Sequence, residues 1–351
     1  MTEKLNAEQD DIVRSIPKED CYICGNPGRQ VYSNLNDRLF GSKGTWSLSK
    51  CTNPNCELFW LNPLPLEEDI WKAYSNYYTH TDAGSSIIPF LKPLEKGYLN
   101  LKYGYYPDST SIFQKFLGIM MFLFPTEKVE VDFSIMYLHN FPGGKLLDVG
   151  CGNGWFLKKM QRLNWDVNGI DFDPAAVDFC KSQGLNVSLG SLHAQNFPDN
   201  YFDAVTVNHV IEHVHNPREL LKECYRILKT GGKLILETPN TKSWIHKYIF
   251  KNSWFSLDPP RHVFIYNPRN LQHLVNKAGF ASIKSTSTTR NESWVFIGSR
   301  SIKKTNLFKM GVKKQPKVLH ILGRLVQLLS WIINIFNKNS GGEVKLIAKK
   351  I

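Results

Sequence analysis

The chain has 351 residues, of which 42% are hydrophobic, so it can form one large domain with a real core and a smaller companion. Its formal net charge of +12 favours anionic partners such as nucleic acid, phosphate-bearing glycans or an anionic membrane face, without choosing among them. Residues 1–14 are polar and of mixed charge, with no apolar stretch, so we expect no secretory signal and a cytoplasmic protein.

Four of the seven cysteines form two pairs near the N-terminus, Cys21 with Cys24 and Cys51 with Cys56. This spacing predicts a structural zinc ribbon over residues 1–66, with four sulfur ligands and no open position for a catalytic water. The alternative is four free thiols. The remaining cysteines lie in apolar or helical segments and are interpreted as small buried side chains.

Residues 67–135 are expected to form a helical region that contains an aromatic cluster around Tyr77 and Tyr78. Aromatic rings with polar tips suit a lid over a sugar or a sulfonium, and they serve equally well as half-buried packing. A short apolar run over residues 116–124 follows the cluster.

An apolar strand over residues 145–149 runs directly into a glycine-rich turn, Gly150-Cys151-Gly152-Asn153-Gly154. Glycines at alternate positions let backbone N–H groups approach a ligand, and Asp148 stands where its carboxylate can reach a cation. A dinucleotide fingerprint would place its last glycine where Trp155 stands. We therefore assign the turn to a charged nucleoside cofactor.

Further strands are predicted over residues 165–170, 186–189, 204–207 and 233–237, in alternation with amphipathic helices. This alternation is typical of a doubly wound parallel sheet of the α/β class, whose ligands lie at the carboxyl ends of the strands. Asp171 is placed there to bind two ribose hydroxyls, and Phe172 to cover an adenine face. Leu192 and Asn208, which follow the next two strands, complete the predicted cofactor-binding set.

Residues from about 145 to 280 resemble the class I S-adenosylmethionine-dependent methyltransferases, especially members that act on sugars and surface glycans. The motifs occur in the family's order: the turn that begins at Asp148, Asp171, the connector 197–203, the pair Glu212-His213, and Gly231-Gly232. The resemblance implies a Rossmann-like sheet of seven strands with an antiparallel last strand, and S-adenosylmethionine as cofactor. It places the core at 136–290, with strand six at 281–289, and strand seven at 343–349 within the segment 341–351. The chain departs from the family at Ser191-Leu192, where many relatives have an acid.

The segment 291–340 would then be an insertion. Residues 318–336 predict a helix with a very wide apolar face and one narrow polar stripe. We expect this helix and the run at 116–124 to pack on the sheet, or on each other, as a cap over the substrate. The alternative is peripheral docking on the inner membrane face, with a lipid-linked substrate.

Transfer of a methyl group to a hydroxyl needs a base, and His213 is the preferred candidate. Glu212 would orient His213 or bind substrate, and His262 is a second candidate base. Arg261 is a candidate for holding a phosphate or carboxylate of the substrate. His209 and His213 are also compatible with packing alone. The order of Glu212 and the histidines does not match the metalloprotease motif.

The leading hypothesis is O-methylation of a sugar in a surface glycan, or in its nucleotide- or lipid-linked precursor. The alternatives are C- or N-methylation of a sugar, and methylation of a quinone or another small molecule. An RNA methyltransferase is disfavoured, because Asn208-His209-Val210-Ile211 stands where base methylators have an Asn/Asp-Pro-Pro-Tyr/Phe motif, so no nucleic-acid partner is expected. The intact glycine turn and Asp171 argue against a scaffold without catalysis, and no oligomeric state is assigned from the sequence.

Overall fold

The computed structural model describes residues 12–74, 91–308 and 315–351. Its centre is a seven-stranded sheet with the order β12-β13-β10-β9-β6-β7-β8. The strands are β6 (Lys145–Val149), β7 (Asp166–Asp171), β8 (Val187–Leu189), β9 (Phe202–Asn208), β10 (Leu228–Pro239), β12 (Ala281–Thr288) and β13 (Glu343–Lys349). Strand β13 is antiparallel to both of its neighbours, and β6 to β10 pair in parallel. The predicted methyltransferase-type sheet is confirmed.

Helices cover both faces of the sheet. They are α1 (Lys92–Tyr103), α2 (Ile112–Met120), α3 (Pro125–Ser134), α4 (Trp155–Arg162), α5 (Pro174–Ser182), α6 (Pro217–Ile227), α7 (Pro268–Lys277), α8 (Glu292–Thr305) and α9 (Lys317–Phe336). Sequence chemistry explains where several of them begin. Asp173 accepts a hydrogen bond from the N–H of Ala175 at the start of α5, and Asn267 caps α7, each before a proline in the first turn.

The N-terminal region contains β1 (Ser15–Ile16), β2 (Gly28–Leu35), β3 (Trp46–Cys51), β4 (Phe59–Leu61), β5 (Leu64–Pro65) and a tight helical segment, Glu67–Tyr74. Strands β2 to β4 form a four-stranded sheet whose outer strand, β11 (Phe264–Ile265), comes from the far end of the main domain. The side chains of Asn267 and Asn270 both donate to the carbonyl of Cys56 at 2.9 Å. Strand pairing and side-chain hydrogen bonds therefore join the N-terminal region to the main domain.

Helices α8 and α9 lie between β12 and β13 in the chain, where the insertion was predicted. Helix α9 does not pack on the protein through its apolar face. It buries Gly323, Gln327 and Ser330 and leaves most of its large apolar side chains exposed. The expected apolar cap is thus not formed by α9, because its polar stripe finds hydrogen-bond partners inside the protein.

Candidate functional site

The tips of β6 and β7 meet at the carboxyl edge of the sheet. The N–H of Gly152 donates to Oδ2 of Asp171 at 2.8 Å, and the N–H of Asp173 donates to Oδ1 at 2.9 Å. Each carboxylate oxygen keeps a lone pair for a further donor. Asp171 is therefore fixed beside the glycine turn and can accept hydrogen bonds from two vicinal hydroxyls, as predicted for a ribose.

The glycine turn adjoins open space at Gly152 and packed side chains at Gly154. A Cβ atom at Gly152, whose φ is +52°, would meet no atom within 4 Å, so open space adjoins this backbone. A Cβ at Gly154 would lie 2.6 Å from Leu185 and 2.7 Å from Cys180, so Gly154 is required for packing of the helix start. Phe172, the residue after Asp171, is 71% exposed. This arrangement fits a nucleoside at Gly152.

Asp148 lies buried beneath the turn, where its Oδ1 accepts a 2.6 Å hydrogen bond from the hydroxyl of Thr206. Burial raises the pKa of Asp148 to about 7, against the hydrogen bond from Thr206, which acts to lower it. A cation bound nearby would favour the charged carboxylate. The position fits the predicted contact with a sulfonium.

The other predicted cofactor residues differ in what they offer. Asn208 ends β9, and its buried Oδ1 has no hydrogen-bond partner among the described residues, so it is free for a ligand donor. Asn153 accepts from the N–H of Trp155 at 3.3 Å, at the start of α4. The side chains of Leu192 and Cys151 are buried in the hydrophobic core, so a contact of either residue with the cofactor would come from its backbone.

Glu212 lies fully buried after β9. Its Oε1 lies 3.1 Å from Nδ1 of His209, and its Oε2 accepts from the hydroxyl of Thr238 at 2.9 Å. The expectation that Glu212 orients His213 is wrong, because its carboxylate pairs with His209, three residues earlier. The backbone φ of His209 is +51°, a value that residues other than glycine rarely adopt. His209 has this conformation while its side chain is paired with Glu212.

His213 is held from one side of its ring. Its Nδ1 lies 3.0 Å from the carbonyl oxygen of Arg261 and 2.9 Å from the hydroxyl of Tyr74. Since a carbonyl can only accept, the proton belongs on Nδ1, and the lone pair is on Nε2. Burial and the neighbouring His262 lower the pKa of His213 to about 4, so the ring is neutral at pH 7.

His262 packs against His213 with their ring centroids 4.7 Å apart. Its Nδ1 lies 2.8 Å from the carbonyl of Ser256, and its Nε2 points toward Glu212 at 4.0 Å. One ligand atom from each of Glu212, His213 and His262 falls within 4.8 Å of the others. These three side chains, brought together from two loops, could therefore hold a proton or a cation.

The predicted role of Arg261 in binding a substrate anion is corrected. Its guanidinium is fully buried and donates to both carboxylate oxygens of Asp37 at 2.8 Å, to Asp258, and to the carbonyl of Ala73. Every one of these partners belongs to the protein. Arg261 therefore ties the N-terminal region to the loop that positions His213.

A second group of buried charges was missed from the sequence. Arg290 donates to Glu237 at 2.9 Å, Tyr137 donates to the other oxygen of Glu237 at 3.0 Å, and Glu343 lies 3.8 Å from Nε2 of His209. Burial acts to lower the pKa of His209, but Glu343 and Glu212 outweigh it and raise that pKa to about 9. The group comes from five separate segments of the chain, and no local motif marks it.

The predicted lid residues Tyr77 and Tyr78 lie outside the described residues. Tyr74, from the same aromatic cluster, contacts His213 through its hydroxyl and packs edge-on against that ring with centroids 6.2 Å apart. The described end of the cluster thus reaches the candidate base.

The N-terminal cysteines converge as predicted. Sγ of Cys21 lies 3.7 Å from that of Cys56, Sγ of Cys24 lies 3.4 Å from that of Cys51, and all four atoms lie within 4.8 Å of one another. Four sulfurs around zinc at the usual bond length of about 2.3 Å stand about 3.8 Å apart in a tetrahedron. The donor set and its spacing fit a zinc ion.

Comparison with known proteins identifies the main domain. Residues 130–285 match a family model described as a methyltransferase domain. A ubiquinone biosynthesis O-methyltransferase of Xanthomonas oryzae is 39% identical over 105 residues, which cover 28% of this chain and 44% of that protein. A mitochondrial protein of the same description from Schizosaccharomyces pombe is 36% identical over 107 residues, or 28% of this chain and 39% of that protein.

This chain therefore matches less than half the length of these curated relatives. Among solved structures, a SAM-dependent methyltransferase from Archaeoglobus fulgidus is 26% identical and covers 60% of this chain and 88% of that chain, with a TM-score of 0.42. The family match agrees with the strand order and the glycine turn described above. Residues 130–285 of this chain are a class I S-adenosylmethionine-dependent methyltransferase domain.

Proposed function

We propose that the whole chain transfers a methyl group to a hydroxyl oxygen of a small acceptor. The observation that supports this most directly is the contact between Gly152 and Asp171, which creates a ribose-binding carboxylate beside open backbone at one edge of the sheet. S-adenosylmethionine supplies the methyl group when bound. Cofactor and acceptor would meet between the tips of β6 and β9.

His213 is proposed to accept the proton of the acceptor hydroxyl on Nε2. In the balanced reaction, a bond forms between the methyl carbon and the oxygen, the bond from that carbon to sulfur breaks with its electrons staying on sulfur, and the proton moves to His213. The carbonyl of Arg261 fixes the ring by accepting from Nδ1. A positioned base of this kind typically contributes about 10²- to 10⁴-fold in rate.

For the acceptor, we now favour a hydroxylated quinone precursor over the sugar of a glycan. The two relatives described above are both named for ubiquinone biosynthesis. A phenolic hydroxyl also suits the weakly basic, neutral His213 better than a sugar hydroxyl does, because a phenol is the stronger acid. C- or N-methylation of a sugar has no comparable support.

The acceptor is tested with purified protein, S-adenosylmethionine and two substrates offered separately. One is a polyprenylated catechol, and the other is a nucleotide-linked sugar. Mass spectrometry of the products should show one added methylene unit on the catechol alone. Methylation of the sugar alone would restore the glycan hypothesis, and methylation of neither with intact cofactor binding would contradict both acceptors.

We also propose that Cys21, Cys24, Cys51 and Cys56 bind one structural zinc ion. Metal analysis of the purified chain should give one zinc per chain for the wild type and none for Cys56→Ser. Cys224→Ala removes a buried thiol in α6, far from the cluster in sequence, and should keep its zinc. A zinc-free wild type with full stability would contradict the assignment.

A further inference from the structure

Helix α9 turns its polar face toward the protein and its apolar face outward, the reverse of an ordinary surface helix in a soluble domain. Gln327 donates to the carbonyl of Thr289 at 3.1 Å, and the hydroxyl of Ser330 accepts from the indole N–H of Trp244 at 2.7 Å. Gly323 lies against Ser293 of α8, where a Cβ atom would not fit. The polar and small residues of α9 therefore form its contact with the protein.

The opposite face of α9 is apolar and exposed. Six of its large side chains are between 42% and 64% exposed: Val318, Ile321, Leu325, Leu329, Ile332 and Ile335. Scattered exposed apolar residues are normal, but a continuous row on one helix indicates a surface that is covered in use.

Helix α2 and the turn after it expose a second apolar row. Its members are Ile112, Phe113, Phe116, Ile119, Phe122 and Leu123, each at least 56% exposed. Helix α2 crosses α1 so closely that a Cβ at Gly118 would lie 2.3 Å from the backbone of Gly97. The contact fixes the opposite face of α2 and leaves the aromatic and aliphatic face outward.

The two rows flank the same helix, α3. The turn Met121–Leu123 leads directly into α3, and Arg324 of α9 forms an ion pair with Glu127 in the first turn of α3. We name the two rows together the apolar face. Both rows therefore adjoin α3, and neither includes a residue of the zinc ribbon.

The two segments that carry the apolar face contain only positive charges, and the neighbouring Glu127 is paired with Arg324. Neither segment 112–123 nor segment 317–336 contains an Asp or a Glu, while Lys115, Lys317 and Lys338 lie in or beside them. Lys317 and Lys338, at the two ends of α9, are exposed. An anionic lipid headgroup layer complements these cations, whereas a second copy of this face would bring like charges together.

Helix α9 is the one helix in the described ranges long and apolar enough to cross a membrane, by length and composition. Its connections favour an orientation in the membrane plane instead. Helix α9 packs along α8, and the short link after Phe336 leads into β13, which pairs with β10 inside the central sheet. Crossing would require α9 to leave the protein and bring Gln327 and Ser330 into lipid.

We propose that the apolar face docks flat on an anionic phospholipid bilayer, with α9 and α2 in the interfacial layer and Lys317 and Lys338 at the headgroups. This inference stands apart from the acceptor proposed above, since membrane docking needs neither cofactor nor substrate. It would, however, bring the site to where a lipid-linked acceptor resides.

The test uses the full chain and three matched isoleucine substitutions. Ile112→Glu changes α2, Ile321→Glu changes α9, and Ile351→Glu changes an isoleucine that is 74% exposed at the other end of β13. Each protein is sedimented with vesicles of phosphatidylcholine alone, or with about a third phosphatidylglycerol. Titration with S-adenosylmethionine checks that each variant keeps its fold.

The wild type should bind the anionic vesicles and prefer them to neutral ones. Ile112→Glu and Ile321→Glu should each weaken binding by about tenfold or more, since each places a charge in the interface. Ile351→Glu should bind like the wild type. An alkaline carbonate wash should release the protein, as expected for docking in the plane.

Three results would overturn the proposal. The first is an absence of the predicted effect: either the wild type does not bind anionic vesicles, or Ile112→Glu and Ile321→Glu bind them as well as the wild type does. The second is a wild-type dimer, seen by analytical ultracentrifugation, that Ile321→Glu converts to a monomer without any vesicle binding, which would make the face a contact between copies. The third is resistance to the alkaline wash, which would indicate a spanning helix.

Discussion

The two halves of the carboxyl edge of the sheet are built in different ways. The cofactor half, at the tips of β6 and β7, comes from one continuous stretch, residues 145–172, and its key contact joins backbone to a single carboxylate. The acceptor half, beyond β9, is assembled from His209, Glu212 and His213 together with side chains from distant loops. Its electrostatics depend on buried charges that pair with one another.

The two halves should therefore respond differently to substitutions. A cofactor site made of backbone and one short motif tolerates change elsewhere in the chain. The acceptor half depends on the N-terminal region as well, because Arg261 and Tyr74 connect that region to His213. Substitutions in the acceptor half should therefore lower turnover, and substitutions in the cofactor half should weaken cofactor binding.

The largest separation is expected for His213→Ala. Loss of the base should lower kcat by about 10²- to 10⁴-fold, while the Kd for S-adenosylmethionine stays near the wild-type value. Steady-state kinetics and calorimetry measure the two quantities. His273→Ala, an exposed histidine on α7, serves as the control and should change neither. Wild-type turnover in His213→Ala would refute its role as the base.

Asp37→Asn should reveal how far the acceptor half depends on the N-terminal region. Breaking a buried ion pair from one side typically costs about 3–5 kcal/mol, because the remaining charge stays buried. Because Asp258 still pairs with Arg261, we expect a loss of stability toward the lower end of that range in urea unfolding, together with a lower kcat, since Arg261 also positions His213. The exposed Asp20→Asn should leave stability unchanged. Equal stability of the two variants would mean that the pair is dispensable.

The smallest expected effect is a pH dependence of cofactor affinity, which involves the cofactor half alone. With its pKa raised to about 7, Asp148 is mostly protonated at pH 6 and mostly ionised at pH 8. A cation binds the ionised form better, so the Kd for S-adenosylmethionine should fall by about tenfold from pH 6 to pH 8. S-adenosylhomocysteine, which lacks the positive charge, should show little change, as should Asp148→Asn with either ligand. A Kd independent of pH in the wild type would contradict this role.

The fold was largely predictable because its signals are local. Strand β13 was predicted at its observed bounds, and the other strands of the central sheet to within about two residues except β10, which begins at Leu228 and not at residue 233. Asp171 was placed correctly beside the turn for the same reason. The methyltransferase-type sheet then followed from the order of the motifs.

The acceptor half was predicted less well because its contacts are not local. Arg261 was assigned to substrate, but its partner Asp37 lies 224 residues away in the sequence. Glu212 was assigned to His213, yet it pairs with His209, a choice that depends on the loop backbone. Helix α9 was expected to bury its apolar face, but its other side faces the protein, where Gln327 donates to the carbonyl of Thr289 and Ser330 accepts from the indole of Trp244.

The central claim is that the tip of β6 and Asp171 together bind the nucleoside of S-adenosylmethionine, and calorimetric titration tests it most directly. The wild type should bind one equivalent, and Asp171→Asn should bind about a hundredfold more weakly, because the amide NH2 cannot accept from a hydroxyl and the bond to the remaining oxygen is no longer charged. Asp178→Asn, an exposed aspartate on α5, should bind like the wild type. Equal affinities of Asp171→Asn and wild type, or no binding by the wild type, would contradict the account.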